Sequence, residues 1–465
     1  MRKFSPWLFV ASSLSLLAGC GGSGIGTGGG TQPATQFALR GPATSGAGFS
    51  FVFTVTARDA EGNVASSYSG KVHFASSDAA AVLPQDSILV NGTQTFTATL
   101  TNAGFQTITA TDTVSTSLRG SFSVTAVAGE FPVNSFGAKG DGQTDDTAAI
   151  QSAINAASAA GGGSVVLSVA RYFTAGRLVV PQGVVLSGAV EGPFDFQALS
   201  QTGIASAATL LITNTSGPFV TLQGVGAGVT DLVFHYPKQV ATSASIPSVY
   251  PYTILVGAPG TKVARSTVTN AYNFLDIESG RVLAQDLFIG ALHNDINIDH
   301  ASDHVTLRHL VHSVFWDILG GQQYPQPIDT WVLNNGTALV VGRMDSLEVS
   351  DMFVFSRFTG MLLTDSSDTS QNPTCGYGTG SDFDIEGVQY GIVVTASNAP
   401  GYKFTNLFIE SYVDIGKAAV QLRTGGSLPP KIEINGVQQG GSAPWADGAF
   451  PPPPAGELLV VNMLP

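Results

Sequence analysis

One stretch of the chain, residues 133–167, joins a short helical pattern directly to a strand pattern. Residues 144–146 are short and polar, which predicts the N-terminal cap of a helix. Small apolar residues then recur at helical spacing, at Ala149, Ile150, Ala153, Ile154 and Ala157. A helix with one narrow apolar face must bury that face against another surface. The run at 164–167 is rich in β-branched residues, so the stretch predicts a short helix laid over the start of a long β-structure.

The string GAKGDGQTDDTAAIQSAINAASAAGGGSVVL in this stretch resembles the N-terminal cap of the pectate-lyase-like superfamily, which includes rhamnogalacturonases, polysaccharide epimerases and phage tailspike proteins. The resemblance implies an all-β fold, a right-handed single-stranded parallel β-helix over residues 130–465, with a homotrimer as one assembly found among relatives. Hydrolases, lyases, epimerases and adhesins share this cap, so it does not name a reaction. The NTD, DD, GHG and RIK series of polygalacturonase-type hydrolases and the DPHE pattern of alginate epimerases are not found.

Beyond residue 163 an alternating apolar pattern returns about every 20 residues, which is typical of a solenoid whose coils bury one face against the next. The repeated runs are residues 273–279, 294–300, 314–320, 337–343, 359–365, 390–396 and 418–424. Residues 321–335 and 366–380 interrupt this rhythm. We expect these two segments to project as loops, where binding sites are often shaped.

Residues 1–19 resemble the signal peptide of a bacterial lipoprotein, with a basic start and an apolar run too short to span a bilayer. The run Leu-Ala-Gly-Cys that ends at Cys20 resembles a lipobox, which implies cleavage before Cys20, a lipid on that residue and a membrane partner. Gly21 favours the outer membrane by the same resemblance. The alternative is an ordinary secretory signal with an incidental cysteine. Lipid on Cys20 would leave Cys375 without a disulfide partner.

Two further segments separate this start from the predicted coil. Residues 20–36 are mostly Gly, Ser, Thr and Pro and predict a flexible tether. Residues 37–127 show short alternating strands and resemble bacterial Ig-like repeats of surface proteins, which act as spacers or bind glycans. The formal net charge of −13 makes nucleic acid an improbable partner, because little neutralises phosphates.

Acidic residues fall at matching positions in the repeats. If Leu275 and Ile277 face inward, Asp276 and Glu278 face outward. The same alternation places Asp295, Asn297 and Asp299 outward in the next run, and Asp317 in the run after that. Adjacent strands lie about 4.8 Å apart, so the outward residues form columns. One predicted column is Asp276, Asn297 and Asp317, and its neighbour is Glu278 and Asp299.

Carboxylates at this separation raise the pKa of one member, which can leave a protonated acid beside an ionised base, as glycoside hydrolysis requires. We assign Asp299 and Asp317 as the acid/base or nucleophile pair, Glu278 and Asp276 as supporting groups, and His300 as the group that tunes protonation. Five of the seven histidines lie between positions 293 and 312 and favour such chemistry. Metal binding is the rival use of these histidines, although no ligand motif is present. The alternative for the whole cluster is a solvated polar face.

Other residues suit substrate binding. Asn297 belongs to the acidic column, Arg343 could contact a sugar carboxylate or pair with a nearby aspartate, and Tyr324 and Trp331 offer aromatic surface. No cofactor is required, although the aspartates at 141, 145 and 146 could hold calcium instead of capping the helix. The sequence therefore predicts a membrane-anchored polysaccharide hydrolase, with a polysaccharide lyase or epimerase and a non-catalytic glycan-binding adhesin or matrix protein as alternatives.

Overall fold

The computed structural model describes residues 32–102, 104–127, 129–160, 162–189, 207–239, 247–313, 326–368, 370, 375–411, 417–423, 426–440 and 458–463. The first strands, β1 to β8, are Gln36–Arg40, Thr44–Gly46, Ser50–Arg58, Lys71–Ser76, Ser87–Ile88, Thr93–Thr99, Gly104–Asp112 and Arg119–Val127. They form two sheets, with orders β1-β3-β6 and β2-β8-β7-β4-β5. Phe53 and Val55 of one sheet and Phe74 and Ile108 of the other share one buried core. The Ig-like family of this module stays a prediction.

Parallel strands form the rest of the molecule. Strands β9 to β19 are Glu130–Pro132, Asp141–Asp145, Gly163–Leu167, Arg171–Thr174, Leu178–Val180, Val184–Gly188, Thr209–Ile212, Val220–Leu222, Gly228–Thr230, Val233–His235 and Tyr252–Val256. Strands β20 to β29 are Lys262–Ile277, Val282–Ile298, Ala301–Ser313, Thr337–Val341, Met344–Leu363, Gly378–Val394, Tyr402–Ser411, Ala418–Leu422, Lys431–Gly440 and Leu458–Met463. Helix α1 is Thr147–Ala159, helix α2 is Gln326–Asn335, and a 3₁₀ helix covers Val133–Phe136. The predicted parallel β-helix is confirmed.

Aromatic contacts join the sandwich to the start of the coil. The Phe49 ring lies 5.1 Å from Phe131 and 5.6 Å from Phe136, measured between centroids. The Ser135 hydroxyl donates a hydrogen bond of 2.6 Å to the carbonyl of Ser50. The two parts therefore pack directly on each other at this junction.

Each full turn of the coil crosses three faces. The first face includes residues 262–264, 282–285, 305–308 and 347–350, and the second includes 266–269, 287–290, 310–313 and 352–355. Between them the chain bends at single left-handed residues, including Arg265, Asp286, His309 and Asp351, with φ of 42°, 55°, 48° and 54°. Asp and Asn tolerate this conformation better than most residues, so such side chains suit the bend. The third face comprises 273–277, 294–298, 337–341, 359–363, 390–394 and 418–422.

The predicted register of the third face is correct for six runs. Leu275, Ile296, Leu339, Met361, Ile392 and Val420 are successive partners across its strands, and all six are buried. The run at 314–320 was expected to be a further turn, but Asn294 pairs directly with Thr337. Residues 314–325 lie outside the described residues, and on the third face β23 is the strand that pairs next to β21. A short run of alternating apolar residues has the same pattern in a coil strand and in an insertion, so the pattern cannot distinguish the two.

The two segments predicted to be loops differ. Residues 326–335 form helix α2, whose Val332 is fully buried, so this part packs on the coil instead of projecting. In the second segment, the described residues before Gly378 lie outside strands, as expected. Cys375 is a buried free thiol, and burial raises its pKa to about 11. Among the described residues, helices long and apolar enough to cross a bilayer are absent.

Helix α1 matches its predicted face, because Ile150, Ala153, Ile154 and Ala157 are all fully buried. Among the residues predicted to cap the helix, Asp145 accepts a helix N–H group, whereas Asp146 does not. Residues 141–145 form β10, and the Asp146 side chain accepts the N–H groups of Lys139 at 2.6 Å and Gly140 at 3.0 Å instead of capping the helix. The Asp145 carboxylate takes the Thr147 N–H at 3.0 Å. These carboxylates fix the turn that delivers the helix onto the coil.

Truncating the buried face of α1 should therefore destabilise the coil. We expect Ile150→Ala to lower the free energy of unfolding by about 2–5 kcal/mol, because it leaves a cavity in close-packed surroundings. Ser152→Ala, on the exposed side of the same helix, should change it by less than about 0.5 kcal/mol. Urea unfolding followed by circular dichroism measures both values. Equal midpoints for the two variants would contradict the packing described here.

Candidate active site on the third face

Two columns of outward side chains run along the third face. Strand pairing places Asp276, Asn297, Val340, Leu362, Val393 and Gln421 in the first column. Backbone hydrogen bonds from each residue to the preceding strand order the second as Glu278, Asp299, Gly342, Thr364, Thr395 and Arg423. The predicted neighbours Asp276 and Asn297 are therefore adjacent, but Val340 follows them where Asp317 was expected. Asp317 itself lies outside the described residues, as does Tyr324.

Asp276 has the environment of a proton donor. Its Oδ1 accepts a 2.8 Å hydrogen bond from Nδ2 of Asn297. Burial is the main cause that raises its pKa to about 6. The charges of Glu278 and Asp299 add to that rise, while the Asn297 bond and His300 oppose it. Asp276 is consequently protonated in weakly acidic solution. The sequence prediction had instead assigned the acid/base or nucleophile pair to Asp299 and Asp317.

Asp299 is held in the opposite state. Its Oδ1 accepts the N–H groups of His300 at 2.9 Å and Arg343 at 3.0 Å. Its Oδ2 accepts the N–H and hydroxyl of Ser367 at 2.9 and 2.8 Å. Burial alone would raise its pKa, but the bonds from Ser366, Ser367 and Arg343 outweigh it and lower the pKa. A buried carboxylate with four such donors anchors the loop at 366–368, and it is poorly suited to supply a proton.

His300 and Glu278 complete the acidic end of the face. The His300 Nε2 lies 3.8 Å from Asp299 Oδ2 and 3.3 Å from the Ser366 hydroxyl, so His300 adjoins Asp299 as predicted. Glu278 is exposed. Asp276 lies in β20, and Glu278 directly follows Ile277, the last residue of that strand, so an extended chain separates the two Cα atoms by about 6.6 Å. Inverting glycosidases hold their two carboxyl groups about 6.5–9.5 Å apart with room for water, and side chains at this Cα spacing can reach that separation.

An aromatic group borders this end. The Tyr272 and His293 rings are stacked, with centroids 4.9 Å apart and planes 11° apart. Trp331 of α2 lies 5.9 Å from Tyr272 and 6.2 Å from His293. The sequence prediction named Trp331 but missed its partners. A signal was present, because Tyr272 and His293 directly precede the aligned runs at 273 and 294.

Tyr252 is a second residue that the sequence analysis missed. Its hydroxyl accepts a 3.3 Å hydrogen bond from Nδ2 of Asn294. Burial raises its pKa, and the nearby charge of Asp276 raises it further. A protonated phenol therefore lies close to Asp276. Tyr252 belongs to the preceding turn, which the repeat pattern did not reach.

The prediction that Asp295 faces solvent is wrong. Asp295 is fully buried, and its carboxylate receives Nη2 of Arg357 at 2.8 and 3.1 Å and Nε of Arg357 at 3.0 Å. His312 Nδ1 lies 2.9 Å from Asp295 Oδ2. Both partners are also fully buried. Arg357 passes close to Gly336, which directly follows α2. The segment of α2 therefore lies beside Asp295, at a position that would face solvent on a coil without that segment.

The five clustered histidines do not form one group. His304 faces Glu348 at 3.3 Å and His309 faces Asp286 at 2.9 Å, while His312 is buried and His293 and His300 lie on the third face. Residues close in sequence are spread over different faces because each turn of the coil crosses all three. Only His293 and His300 remain near the candidate site.

Arg343, predicted to contact a sugar carboxylate or to pair with an aspartate, has few partners. Within the described part of the chain the Arg343 guanidinium has no ion pair, and its Nε is buried without a hydrogen-bond partner.

Among the described residues, clusters of three or more His, Cys, Asp or Glu side chains able to hold a metal are absent. At the predicted calcium position, Asp141 accepts the N–H groups of Gln143 at 2.9 Å and Thr144 at 2.8 Å. The aspartates there bind the turn itself.

The fold defines a parallel β-helix protein. Residues 131–235 match the family described as rhamnogalacturonase A/epimerase, pectate lyase-like. The match covers less than half of the chain, and it confirms the resemblance read from residues 133–167.

Known proteins from Azotobacter vinelandii share a short segment with this chain. Alginate lyase 7 is 47% identical over 70 residues, which are 14% of this chain and 8% of the lyase. Mannuronan C5-epimerase AlgE3 is 47% identical over 70 residues, 14% of this chain and 4% of the epimerase. The match thus spans less than a tenth of either relative.

Solved structures align with a longer part of the chain. The A-module of mannuronan C-5 epimerase AlgE6 from Azotobacter vinelandii has a TM-score of 0.37 and 15% identity, covering 72% of this chain and 99% of the module. An exopolygalacturonase from Thermotoga maritima has a TM-score of 0.40 and 12% identity, covering 69% of this chain and 92% of that one.

The raised pKa of Asp276 predicts a pH-dependent cost to folding. Because this pKa is about 6 in the folded chain against an ordinary 3.8, the proton stabilises the folded state at low pH. That stabilisation is lost as the pH rises through about 6. Asp276→Asn stays neutral, so between pH 4 and pH 8 it should gain on the order of 1–2 kcal/mol over the parent protein.

Urea unfolding at both pH values measures this gain. Asp351→Asn is the matched control, since it replaces an exposed aspartate on a bend of the coil. An Asp276→Asn difference that is equal at pH 4 and pH 8 would contradict the protonated state assigned to Asp276.

Proposed function

We propose that this protein hydrolyses a polysaccharide on the third face, with Asp276 as general acid and Glu278 as general base. The observation that carries the proposal is the contrast between these two carboxylates. Asp276 is partly buried, with a pKa of about 6, whereas Glu278 is exposed just beyond the end of the same strand. Protonated Asp276 would donate to the leaving oxygen, and Glu278 would activate water, in an inverting reaction.

Neighbouring residues support this assignment. Asn297 holds the Asp276 carboxyl in place, and ionised Asp299 raises the pKa of Asp276 by its charge. Asp299 also fixes the loop at 366–368 and is therefore a positioning residue. The stacked aromatic group of Tyr272, His293 and Trp331 offers a surface on which a sugar ring could pack. The family match over residues 131–235 is consistent with carbohydrate chemistry.

A lyase or epimerase is the second candidate, and Arg343 is the observation in its favour. Elimination beside a uronate carboxylate needs a cation to neutralise that group, and Arg343 lacks an acidic partner among the described residues. Tyr252, close to Asp276, would supply a phenolic proton donor. Azotobacter alginate lyase 7 and the mannuronan epimerases share the short matching segment.

Replacing either carboxylate tests the roles proposed for Asp276 and Glu278. We expect Asp276→Asn and Glu278→Gln each to reduce polysaccharide cleavage by at least about 100-fold, because each removes one partner of the proton transfer. Parent activity should fall as the pH rises through about 6, where Asp276 loses its proton. Reducing-end release from a panel of bacterial and plant polysaccharides measures this, with Asp351→Asn as the control.

The products decide between the candidates. Ultraviolet-absorbing unsaturated uronates, lost in Arg343→Gln, would establish elimination and overturn hydrolysis. Altered sugar configuration at unchanged polymer length would establish epimerisation. Glycan binding with no new chain ends and no chemical change would favour an adhesin.

We also propose that the protein is a lipoprotein of the bacterial outer membrane, held through lipid on Cys20 and the tether at 20–36. The support is the sequence pattern of residues 1–20. In detergent phase separation after expression in a bacterium, the full chain should enter the detergent phase and Cys20→Ser the aqueous phase. Equal partitioning of the two proteins would overturn the anchor.

A further inference from the structure

Two cations converge on one aromatic ring at the far end of the third face. The Lys417 Nζ lies 5.4 Å from the Tyr390 ring centre and 5.6 Å from that of Phe358. The Arg423 Cζ lies 5.1 Å from the same Tyr390 ring. Both cations are exposed, whereas Tyr390 is only 7% exposed. The buried ring therefore fixes two mobile side chains in one place.

These cations have no acidic partner among the residues that the structure describes. Some cations elsewhere on the coil are paired, such as Arg265 with Asp231 at 2.6 Å and Lys403 with Glu433 at 3.2 Å. Arg423 Nε instead donates to the side-chain oxygen of Gln421. The chain as a whole carries a net charge of −13, so acids are plentiful. Two like charges against one ring repel each other, and a bound anion would relieve that repulsion.

Arg423 lies on the second column, which begins at the acidic end, and Lys417 lies just before the strand that precedes Arg423. Arg423 is five strand steps beyond Glu278 in the second column, which corresponds to about 24 Å at 4.8 Å per step. Between the ends, the first column carries the partly exposed Val340 and Leu362, followed by Val393, which is buried. A ligand that contacts both ends must be a chain of several sugars. It would meet carboxylates at one end, apolar side chains in the middle and cations at the other.

The charge difference restricts which sugar lies at each end. An anionic sugar beside Asp276, Glu278 and Asp299 would be repelled, while the same group beside Lys417 and Arg423 would be attracted. We propose that Lys417 and Arg423 form a subsite for an anionic substituent, a carboxylate or a sulfate ester, of a heteropolysaccharide whose cleaved bond lies next to neutral sugars. This inference rests on the proposed function for the nature of its ligand, and it adds a binding site remote from the reaction.

Binding to three forms of one polymer tests the subsite. The ligands are a bacterial heteropolysaccharide that contains uronate, the same polymer after its carboxyl groups are reduced to alcohols, and that reduced polymer after sulfation. Affinity electrophoresis or calorimetry should show that Lys417→Met with Arg423→Gln weakens binding of the uronate polymer at least tenfold. The loss should disappear for the reduced polymer. A loss that returns on sulfation would identify any sugar anion as the ligand, and a loss confined to uronate would identify the carboxylate.

Controls separate this inference from the proposed reaction. Lys403→Gln removes one charge on the first face and should leave all three affinities unchanged. Asp276→Asn should abolish cleavage but keep the affinity for the uronate polymer. Unchanged uronate binding in the Lys417 and Arg423 variant, or an equal loss with the reduced polymer, would overturn the subsite even if Asp276 proves essential. Binding that depends on both cations without any cleavage would keep the subsite and remove the hydrolase.

Discussion

Backbone pairing between parallel strands is the constraint on which every later feature of this molecule depends. Each strand of the third face fixes its neighbour in register, so residues about one turn apart become adjacent at about 4.8 Å. A shift of one residue would turn Asp276 inward and expose Ile277. The buried series that includes Leu275 and Ile296 prevents such a shift, because it would place apolar side chains in water. The core therefore determines which polar groups meet outside.

A buried ionic network makes one exception to this separation of core and surface. Asp295, Arg357 and His312 are completely excluded from solvent, and Arg357 makes further bonds to the carbonyls of Ala291 at 3.3 Å and Ser356 at 3.1 Å. Burial lowers the pKa of His312, so the network contains one cation and one anion with a neutral imidazole. Such a pair gives little net stability, but removing one partner leaves an uncompensated charge. The network therefore specifies how β21 and β24 meet near α2, the helix that carries Trp331.

The extent of successful prediction from the sequence follows from the same constraint. Alternation of apolar residues identifies strands, and aligned runs such as those at 273 and 294 give their register, so Asp276 and Asn297 could be placed beside each other. What alternation cannot supply is the course of an insertion. The run at 314–320 has the same pattern as a strand, yet β21 pairs with β23, so Val340 occupies the column position that was expected for Asp317. Helix α2 likewise packs on the coil with Val332 buried, in a segment expected to project.

The roles of the acids could not be predicted from their spacing, because hydrogen-bond donors come from loops distant in sequence. Asp276 and Asp299 are both aspartates on adjacent turns, yet their pKa values move in opposite directions. Asp276 receives a side-chain bond from Asn297 that does not offset its burial. Asp299 receives two bonds from Ser367, 68 positions further along the chain, together with the N–H groups of His300 and Arg343. Once Asp299 is ionised by these donors, its negative charge disfavours ionisation of Asp276. The loop that anchors one carboxylate thereby helps to keep the other protonated.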